Sequence, residues 1–174
     1  MMLTLLPAVM MLAATVQPVP QVDLQRYAGT WYEIARLPNR FQKSCAGDVA
    51  ANYTLNSDKT IKVVNTCRDA GTGKVKTAEG LGRVAKEDKG ANSILEVRFA
   101  PAFLSFLSVV WGDYRIIGLD AANYSYALVG SKDLQYLWIL SRTKILDDAV
   151  YNKLTAEAAR QGYDIKQLVR TPQK

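Results

Sequence analysis

Two strand-like segments that lie far apart in the chain constrain its fold most strongly. Residues 29–36 and residues 136–142 are short runs in which aromatic and β-branched side chains cluster, which is typical of β-strands. The first run begins with Gly29 and carries Trp31, and the second ends with Arg142. If these two strands pair, the guanidinium lies over the indole in a contact of about 0.5–2 kcal/mol. Pairing of a first strand with a last strand closes a sheet on itself, so the sequence predicts a small closed β-barrel.

A hairpin follows the first strand. Residues 49–55 and 61–67 alternate in polarity, and residues 56–59 between them have the composition of a turn. Since side chains of a strand point alternately to its two faces, one set is expected to face inward. This set is Val49, Ala51, Tyr53, Leu55, Ile61, Val63, Asn65 and Cys67.

The remaining segments complete an eight-stranded pattern. Further strands are predicted over residues 78–84, 94–99, 114–119, 124–130 and 136–142. In the strand 94–99, the inward set is Leu95, Val97 and Phe99. A helix is predicted from Asp147 or Asp148 to about Gln161, with Val150, Leu154 and Ala158 buried. The last predicted elements are a short strand at residues 165–169 and a frayed tail at residues 171–174.

The first 21 residues differ in composition from the rest. Residues 3–14 form an apolar run without charge, which is shorter than the roughly 20 residues of a membrane span and typical of a secretory signal peptide. Cleavage is expected between Ala13 and Gln17, and the two prolines that follow indicate a linker. We therefore divide the chain into a signal peptide and linker, residues 1–21, and one domain, residues 22–174.

Cys45 and Cys67 are the two cysteines of the chain. Folding the hairpin about Ser57 brings Cys45 close to the level of Cys67, so a disulfide is geometrically plausible. An even cysteine count in an exported chain also favours it. The alternative is a reactive thiol, but neither cysteine has a histidine beside it in the sequence to activate it.

The 174 residues include no histidine. This removes His-based catalytic triads, His general bases and His metal ligands, and two cysteines are too few for a Cys-rich zinc site. The sequence therefore argues against an enzyme and predicts no metal site and no cofactor.

The formal net charge of +6 is carried by scattered Lys and Arg residues. This fits a solvated surface or a mild attraction to anionic membrane lipid. Nucleic acid is not an expected partner, because no basic stripe or known motif is present.

Residues 100–111 carry no charge and are mostly apolar. Large apolar side chains recur there at helical spacing, namely Phe103, Leu104, Phe106, Leu107, Val110 and Trp111. A connection with this much apolar surface needs a partner. Four possibilities stay open: packing on its own barrel, a lid over the barrel mouth, contact with a membrane surface, and a second copy in a homodimer.

Several blocks of sequence resemble the lipocalin family, and most closely the bacterial lipocalins related to apolipoprotein D. The blocks are Gly29-x-Trp31, residues 31–36, residues 127–129, and residues 138–143 with Arg142. The resemblance runs from about Val22 to the C-terminus. It implies an all-β fold, an eight-stranded antiparallel up-and-down calyx barrel with one C-terminal α-helix packed outside. It also implies an exported protein, periplasmic or associated with the outer membrane. Many bacterial relatives carry a cysteine just after the signal and become lipoproteins, whereas no cysteine precedes Cys45 here, so we expect no lipid anchor.

The resemblance also implies which residues line the ligand cavity. These are Asn65, Phe99, Tyr114 and Trp138. Alternation independently places Asn65 and Phe99 on inward faces. A buried Asn65 amide needs a hydrogen-bond partner, for which a lipid head group, a carboxylate and Tyr53 are candidates.

Together these features predict a carrier that holds fatty acids or lysophospholipids in an apolar cavity. The resemblance suggests storage or transport of lipids in membrane maintenance under stress. Affinity is expected to come mainly from burial of the acyl chain, at about 0.8 kcal/mol per CH₂. The alternative is a lipocalin-fold enzyme that acts on a lipid or isoprenoid, which a free thiol at Cys45 or Cys67 would favour.

Overall fold

The predicted pairing between the first and last strands of the barrel is present. In the computed structural model, which describes residues 15–174, Gly29–Arg36 (β1) lies antiparallel to Leu137–Ser141 (β8). Between them, each strand pairs antiparallel with the next, in the order Cys45–Leu55 (β2), Ile61–Asp69 (β3), Val75–Val84 (β4), Ile94–Arg98 (β5), Gly112–Leu119 (β6) and Tyr126–Gly130 (β7). β1 also pairs with β2, which closes the sheet. The predicted eight-stranded up-and-down barrel is confirmed.

Some strands are longer or shorter than the sequence predicts. The ladder between β2 and β3 begins at Cys45 rather than at residue 49, and β4 begins at Val75 rather than at residue 78. β7 begins only at Tyr126, because Tyr124 has a positive φ of 54° and belongs to the preceding turn. These differences lie at strand ends, where local alternation carries the least information.

The contact between Arg142 and Trp31 is confirmed. The guanidinium lies 3.9 Å over the indole, which is fully buried. It also donates hydrogen bonds of 2.7, 2.9 and 2.9 Å to the backbone carbonyl oxygens of Arg26, Ala28 and Thr30. Two longer hydrogen bonds of 3.2 Å reach the carbonyl oxygens of Tyr27 and Tyr124. Gly29 has a φ of +95°, and a β-carbon there would lie 3.3 Å from Nη1 of Arg142, which explains the glycine.

The predicted helix, Asp148–Arg160 (α2), packs on the outside of the barrel. The side chain of Asp147 accepts hydrogen bonds from the backbone N–H groups of Ala149 and Val150 and so caps its first turn. Leu154 and Ala158 are buried against the outward side chains of the barrel wall. Within residues 15–174, no helix has the length and apolar composition needed to cross a bilayer.

One end of the barrel is closed by the segment that leads into β1. Val16 is buried in the layer between barrel and α2, and the backbone N–H of Val19 donates to the carbonyl oxygen of Ile116 at 2.8 Å. A short helix, Leu24–Tyr27 (α1), then places Tyr27 in the barrel core. Residues 15–21, predicted as a linker, therefore lie against the barrel. The predicted signal sequence falls mainly on residues 1–14, which lie outside the described residues.

The C-terminal segment fills a gap in the barrel wall. β1 and β2 pair only between residues 29–32 and 50–53, and beyond this Val169–Arg170 (β9) pairs with β1 instead. The Gln173 amide then donates to the carbonyl oxygens of both Glu33 and Val49, each at 2.8 Å. The prediction of a frayed tail was wrong, because the diverging backbones of β1 and β2 need hydrogen-bond partners that only a third segment supplies. The predicted strand at 165–169 is likewise corrected, since Ile165–Gln167 forms a 3₁₀ turn.

Cys45 and Cys67 form the predicted disulfide, with their Cα atoms 5.6 Å apart. The bond ties the start of β2 to the end of β3 near the open end of the barrel. Because these are the two cysteines of the chain, neither is available as a reactive thiol.

Candidate ligand-binding site

The barrel interior is filled at its closed end. Trp31, Ile116 and Ala127 face inward there and are fully buried. The space left between Tyr27 and Leu95 amounts to a cavity of about 10 Å³, which is close to the volume needed for one water molecule. A chain-like ligand therefore has no room in this half.

The opposite half of the barrel is open to solvent and has a wall of small side chains. The strand register places Ala51, Asn65 and Ala78 side by side on β2, β3 and β4. Gly112 lies beside the inward-facing Val97 on the neighbouring strand. Ala78 and Gly112 are exposed although they lie on the inward face, so solvent reaches the inner wall of this half.

Asn65 lies on the inward face at the middle of β3, as the sequence predicts. It sits between Ala51 and Ala78, whose short side chains do not reach its amide. Its Oδ1 atom is buried and has no hydrogen-bond partner among the described residues. Tyr53, one of its predicted partners, bonds elsewhere. An unpaired buried amide is costly, and here it marks the wall of the accessible half.

Three tyrosines from different strands and α1 meet beside Asn65 and form the floor of the open half. We call Tyr27, Tyr53 and Tyr114 the tyrosine cluster. The hydroxyl of Tyr114 lies 2.8 Å from that of Tyr27 and 3.0 Å from that of Tyr53. Burial raises the pKa of Tyr53 to about 12, and it also raises the pKa values of Tyr27 and Tyr114 well above 10. All three hydroxyls therefore keep their protons at neutral pH.

Trp138 is half-buried towards the open end and is held by a polar network. Its indole N–H donates to Oε1 of Gln42 at 3.0 Å, and its ring stacks on Tyr136 with 5.8 Å between centroids. The Gln42 amide in turn donates to Glu33, which is only 3% exposed and pairs with Arg36 at 2.8 Å. Sequence reasoning missed Gln42 and Glu33, although a glutamate inside the apolar run 31–35 was a usable signal.

Phe99 lies one residue beyond the end of β5, at the mouth of the barrel. Its ring covers Gly80 of β4, where a β-carbon would come within 2.8 Å of the ring, so the side chain points towards the interior. It is nevertheless 47% exposed. β5 ends at Arg98 rather than at Phe99, so the predicted inward position belongs to the rim and not to the core.

The apolar connection between β5 and β6 projects its side chains into solvent. Phe103, Phe106 and Val109 are 74%, 81% and 86% exposed. Trp111 anchors the base of the loop on the outer wall, where the guanidinium of Arg83 lies 3.8 Å from its ring. Packing on its own barrel, one of the four possibilities for this loop, therefore does not account for its apolar side chains.

Comparisons with known proteins agree with this geometry. Residues 22–173 match the family model described as a lipocalin-like domain. The chain is 41% identical over 156 residues to temperature-induced lipocalin-1 of Arabidopsis thaliana, covering 89% of this chain and 81% of the relative. It is 35% identical over 151 residues to outer membrane lipoprotein Blc of Escherichia coli (strain K12), covering 87% of this chain and 79% of the relative.

A solved structure shares the fold. Insecticyanin from the tobacco hornworm Manduca sexta superposes with a TM-score of 0.71 at 22% identity, covering 91% of this chain and 85% of that one. At this identity the likeness concerns the arrangement of the barrel alone.

Proposed function

Because the chain belongs to the lipocalin family and has the fold of a carrier for small hydrophobic ligands, we propose that it holds single-chain lipids, fatty acids or lysophospholipids, in the open half of its barrel. The observation that carries the proposal is the inner wall of that half. Small side chains lie beside Asn65 on this wall, and Phe99 and Trp138 border the opening.

Affinity in such a site would come mainly from removing the acyl chain from water. Each CH₂ contributes about 0.8 kcal/mol, which corresponds to a roughly fourfold change in dissociation constant. We therefore expect affinity to rise with chain length until the open half is filled.

The exposed loop between β5 and β6 supports a role at a membrane surface. Phe103 and Phe106 extend from the same end of the molecule as the barrel mouth, with Leu104 and Leu107 beside them. We propose that this loop touches the bilayer while lipid passes between membrane and barrel. A homodimer joined through the loop is the alternative. The likeness to outer membrane lipoprotein Blc leads us to place this activity in the periplasm or at the outer membrane, in membrane maintenance under stress.

The alternative function is that of an enzyme acting on a lipid or isoprenoid. That reading needed a free thiol as nucleophile, and the disulfide joins both cysteines. We therefore propose binding and not catalysis as the function.

Native mass spectrometry of protein purified gently from the envelope fraction tests the proposal. We expect a mass surplus that matches a fatty acid or a lysophospholipid, and Trp138→Glu should remove it by placing a charge at the mouth. Thr54→Glu is the matched control, because it adds the same charge on the exposed outer side of β2. A wild-type protein that is purified without lipid and does not bind added lysophospholipid or fatty acid would contradict the proposal.

A doubled mass would favour the homodimer over membrane contact. The double variant Phe103→Ser with Phe106→Ser should abolish binding to anionic vesicles without changing lipid affinity in solution.

A further inference from the structure

The floor of the open half offers hydrogen-bonding groups that the protein itself does not satisfy. The amide of Asn65 makes no hydrogen bond to any other described residue, and its Oδ1 is buried. An amide both donates and accepts, so a partner that only accepts leaves its oxygen unpaired. A ligand group that both donates and accepts a hydrogen bond would therefore satisfy the Asn65 amide best.

The tyrosine cluster adds a donor. Three hydroxyl groups carry three protons, while the two hydrogen bonds among Tyr27, Tyr53 and Tyr114 use only two. Whichever way the hydroxyls rotate, one O–H of the cluster has no acceptor within it. Tyr53 lies on the same face as Asn65 and diagonally across from it on the neighbouring strand. The spare donor and the amide therefore border the same space.

The charge of the inner wall is neutral near this floor. Glu33 and Arg36 pair with each other at 2.8 Å, and Lys76, at the rim on β4, donates to the hydroxyl of Ser44 at 2.9 Å. Lys76 is the nearest cation that alternation places on this inward face among the described residues of β2, β3 and β4, and it lies two positions towards the rim from Ala78, the cross-strand partner of Asn65. An anion at the floor would lose its hydration without a counter-charge directly beside it, which is unfavourable.

The open half extends well beyond the floor. From Gly80, at the level of the tyrosine cluster, β4 runs five residues to the exposed Val75, a distance of about 17 Å. The ring of Phe99 covers Gly80 and so borders the floor, whereas the exposed Phe103 and Phe106 lie in the loop that follows β5. An apolar chain that starts at the floor can therefore lie along Phe99 and extend from there towards the rim.

We propose that the ligand enters with its polar end first. The end that meets Asn65 and the tyrosine cluster is a small uncharged group, a hydroxyl or a protonated carboxyl, and the apolar chain runs from there to the rim. This inference rests on the proposed function and narrows it. Among single-chain lipids, a long-chain alcohol or neutral fatty acid fits the floor, whereas the charged head group of a lysophospholipid does not.

Ligands that share one chain and differ in the polar end test the inference. We would measure displacement of the neutral fluorophore N-phenyl-1-naphthylamine from the full chain by 1-dodecanol, dodecanoate and lauroyl lysophosphatidylcholine at pH 8. Dodecanol should bind about tenfold more tightly than either of the others, a difference of about 1.4 kcal/mol. Dodecanoate should bind more tightly as the pH is lowered to 5 and the acid becomes neutral, while dodecanol should not change.

Two variants test whether Asn65 and the tyrosine cluster are responsible for the tighter binding of dodecanol. Asn65→Leu and Tyr114→Phe should each weaken dodecanol binding about fivefold. Asn52→Leu is the matched control, because this asparagine lies on the outer face and donates to Thr30 at 2.9 Å, and it should leave all affinities unchanged. Should Asn65→Leu fail to fold, Tyr114→Phe and the wild-type pH comparison still decide the question. The inference is overturned if dodecanoate or the lysophospholipid binds as tightly as dodecanol at pH 8, or if both floor variants keep wild-type affinity. Binding of none of the three lipids would instead overturn the proposed function itself.

Discussion

Replacing Arg142 with methionine tests whether the contact that joins the two ends of the barrel sheet holds the closed end together. The guanidinium donates three hydrogen bonds shorter than 3 Å to backbone carbonyl oxygens that precede or begin β1, and it also covers the indole of Trp31. Methionine keeps part of the apolar contact but has no donor. The variant therefore separates the hydrogen bonds and charge from simple packing.

The expected loss follows from these contacts. A hydrogen bond from a charged donor contributes about 1.5–3 kcal/mol when buried, but these carbonyl groups are partly exposed and regain water, so about 1 kcal/mol each is reasonable. The contact with the indole adds about 0.5–2 kcal/mol. After allowance for the packing that methionine retains, we expect Arg142→Met to lower the free energy of unfolding by about 3 kcal/mol. For a domain of this size the melting temperature should then fall by about 6–12 °C.

Urea unfolding followed by circular dichroism measures this loss, and Arg142→Lys divides it. Lysine keeps the charge over the ring but cannot reach three carbonyl groups with a planar fork, so it should lose about half as much. Arg40→Met is the matched control, because its guanidinium rests 4.9 Å from the ring of the exposed Phe41 and should contribute less than about 0.5 kcal/mol. An Arg142→Met variant within 1 kcal/mol of the wild type would refute the assignment, and equal losses for lysine and methionine would show that the fork geometry, and not the charge, is what matters.

Three further predictions concern the rest of the barrel. Reducing the disulfide, or replacing Cys45 and Cys67 with serine, should lower the free energy of unfolding by about 3 kcal/mol, because the bond closes a separation of 22 residues; equal urea midpoints with and without reductant would contradict this. Asp88 accepts four backbone N–H groups of its turn, which lower the pKa of its carboxyl although burial acts to raise it. The stability it provides is therefore present above its ordinary pKa of 3.8 and is lost as the pH falls through the lower folded-state value, so Asp88→Asn should be less stable at pH 7 and show a flatter stability profile towards pH 3; parallel profiles would argue against it. Deleting residues 171–174 should lower the free energy of unfolding by about 2–4 kcal/mol, since it leaves carbonyl groups of β1 and β2 unpaired, and an unchanged unfolding curve would show that water replaces the segment without cost.

Features that follow from the local periodicity of the sequence could be predicted from it. The alternation of residues 49–67 gave the hairpin, its inward face and the level at which Cys45 and Cys67 meet. The capping residue Asp147 and the apolar spacing behind it gave the outer helix. Such patterns need only the neighbouring residues, because strand and helix periods decide which side chains share a face.

Features that depend on distant backbone were not predictable. The tail 171–174 has no pattern of its own, and it is ordered only because β1 and β2 diverge beside it. The link from Trp138 through Gln42 to Glu33 joins three segments in one network. Alternation correctly placed Asn65 inside, yet which group its amide would meet depended on Tyr53 bonding across the barrel to Tyr114. The role of each predicted ligand-contacting residue, Phe99 and Trp138 included, stays a prediction until a ligand is measured.

The C-terminal segment also sets the order in which this barrel can be completed. It joins Thr171 and Gln173 to Glu33 across 138 and 140 positions of sequence. Loops of that length are slow to close, because the entropy of bringing their ends together is lost before any of these contacts forms. Strands β2 to β8 can pair with their neighbours as hairpins, whereas the seam between β1 and β2 is finished only when the last residues arrive. We therefore expect folding on a scale of milliseconds to seconds, limited by this final closure.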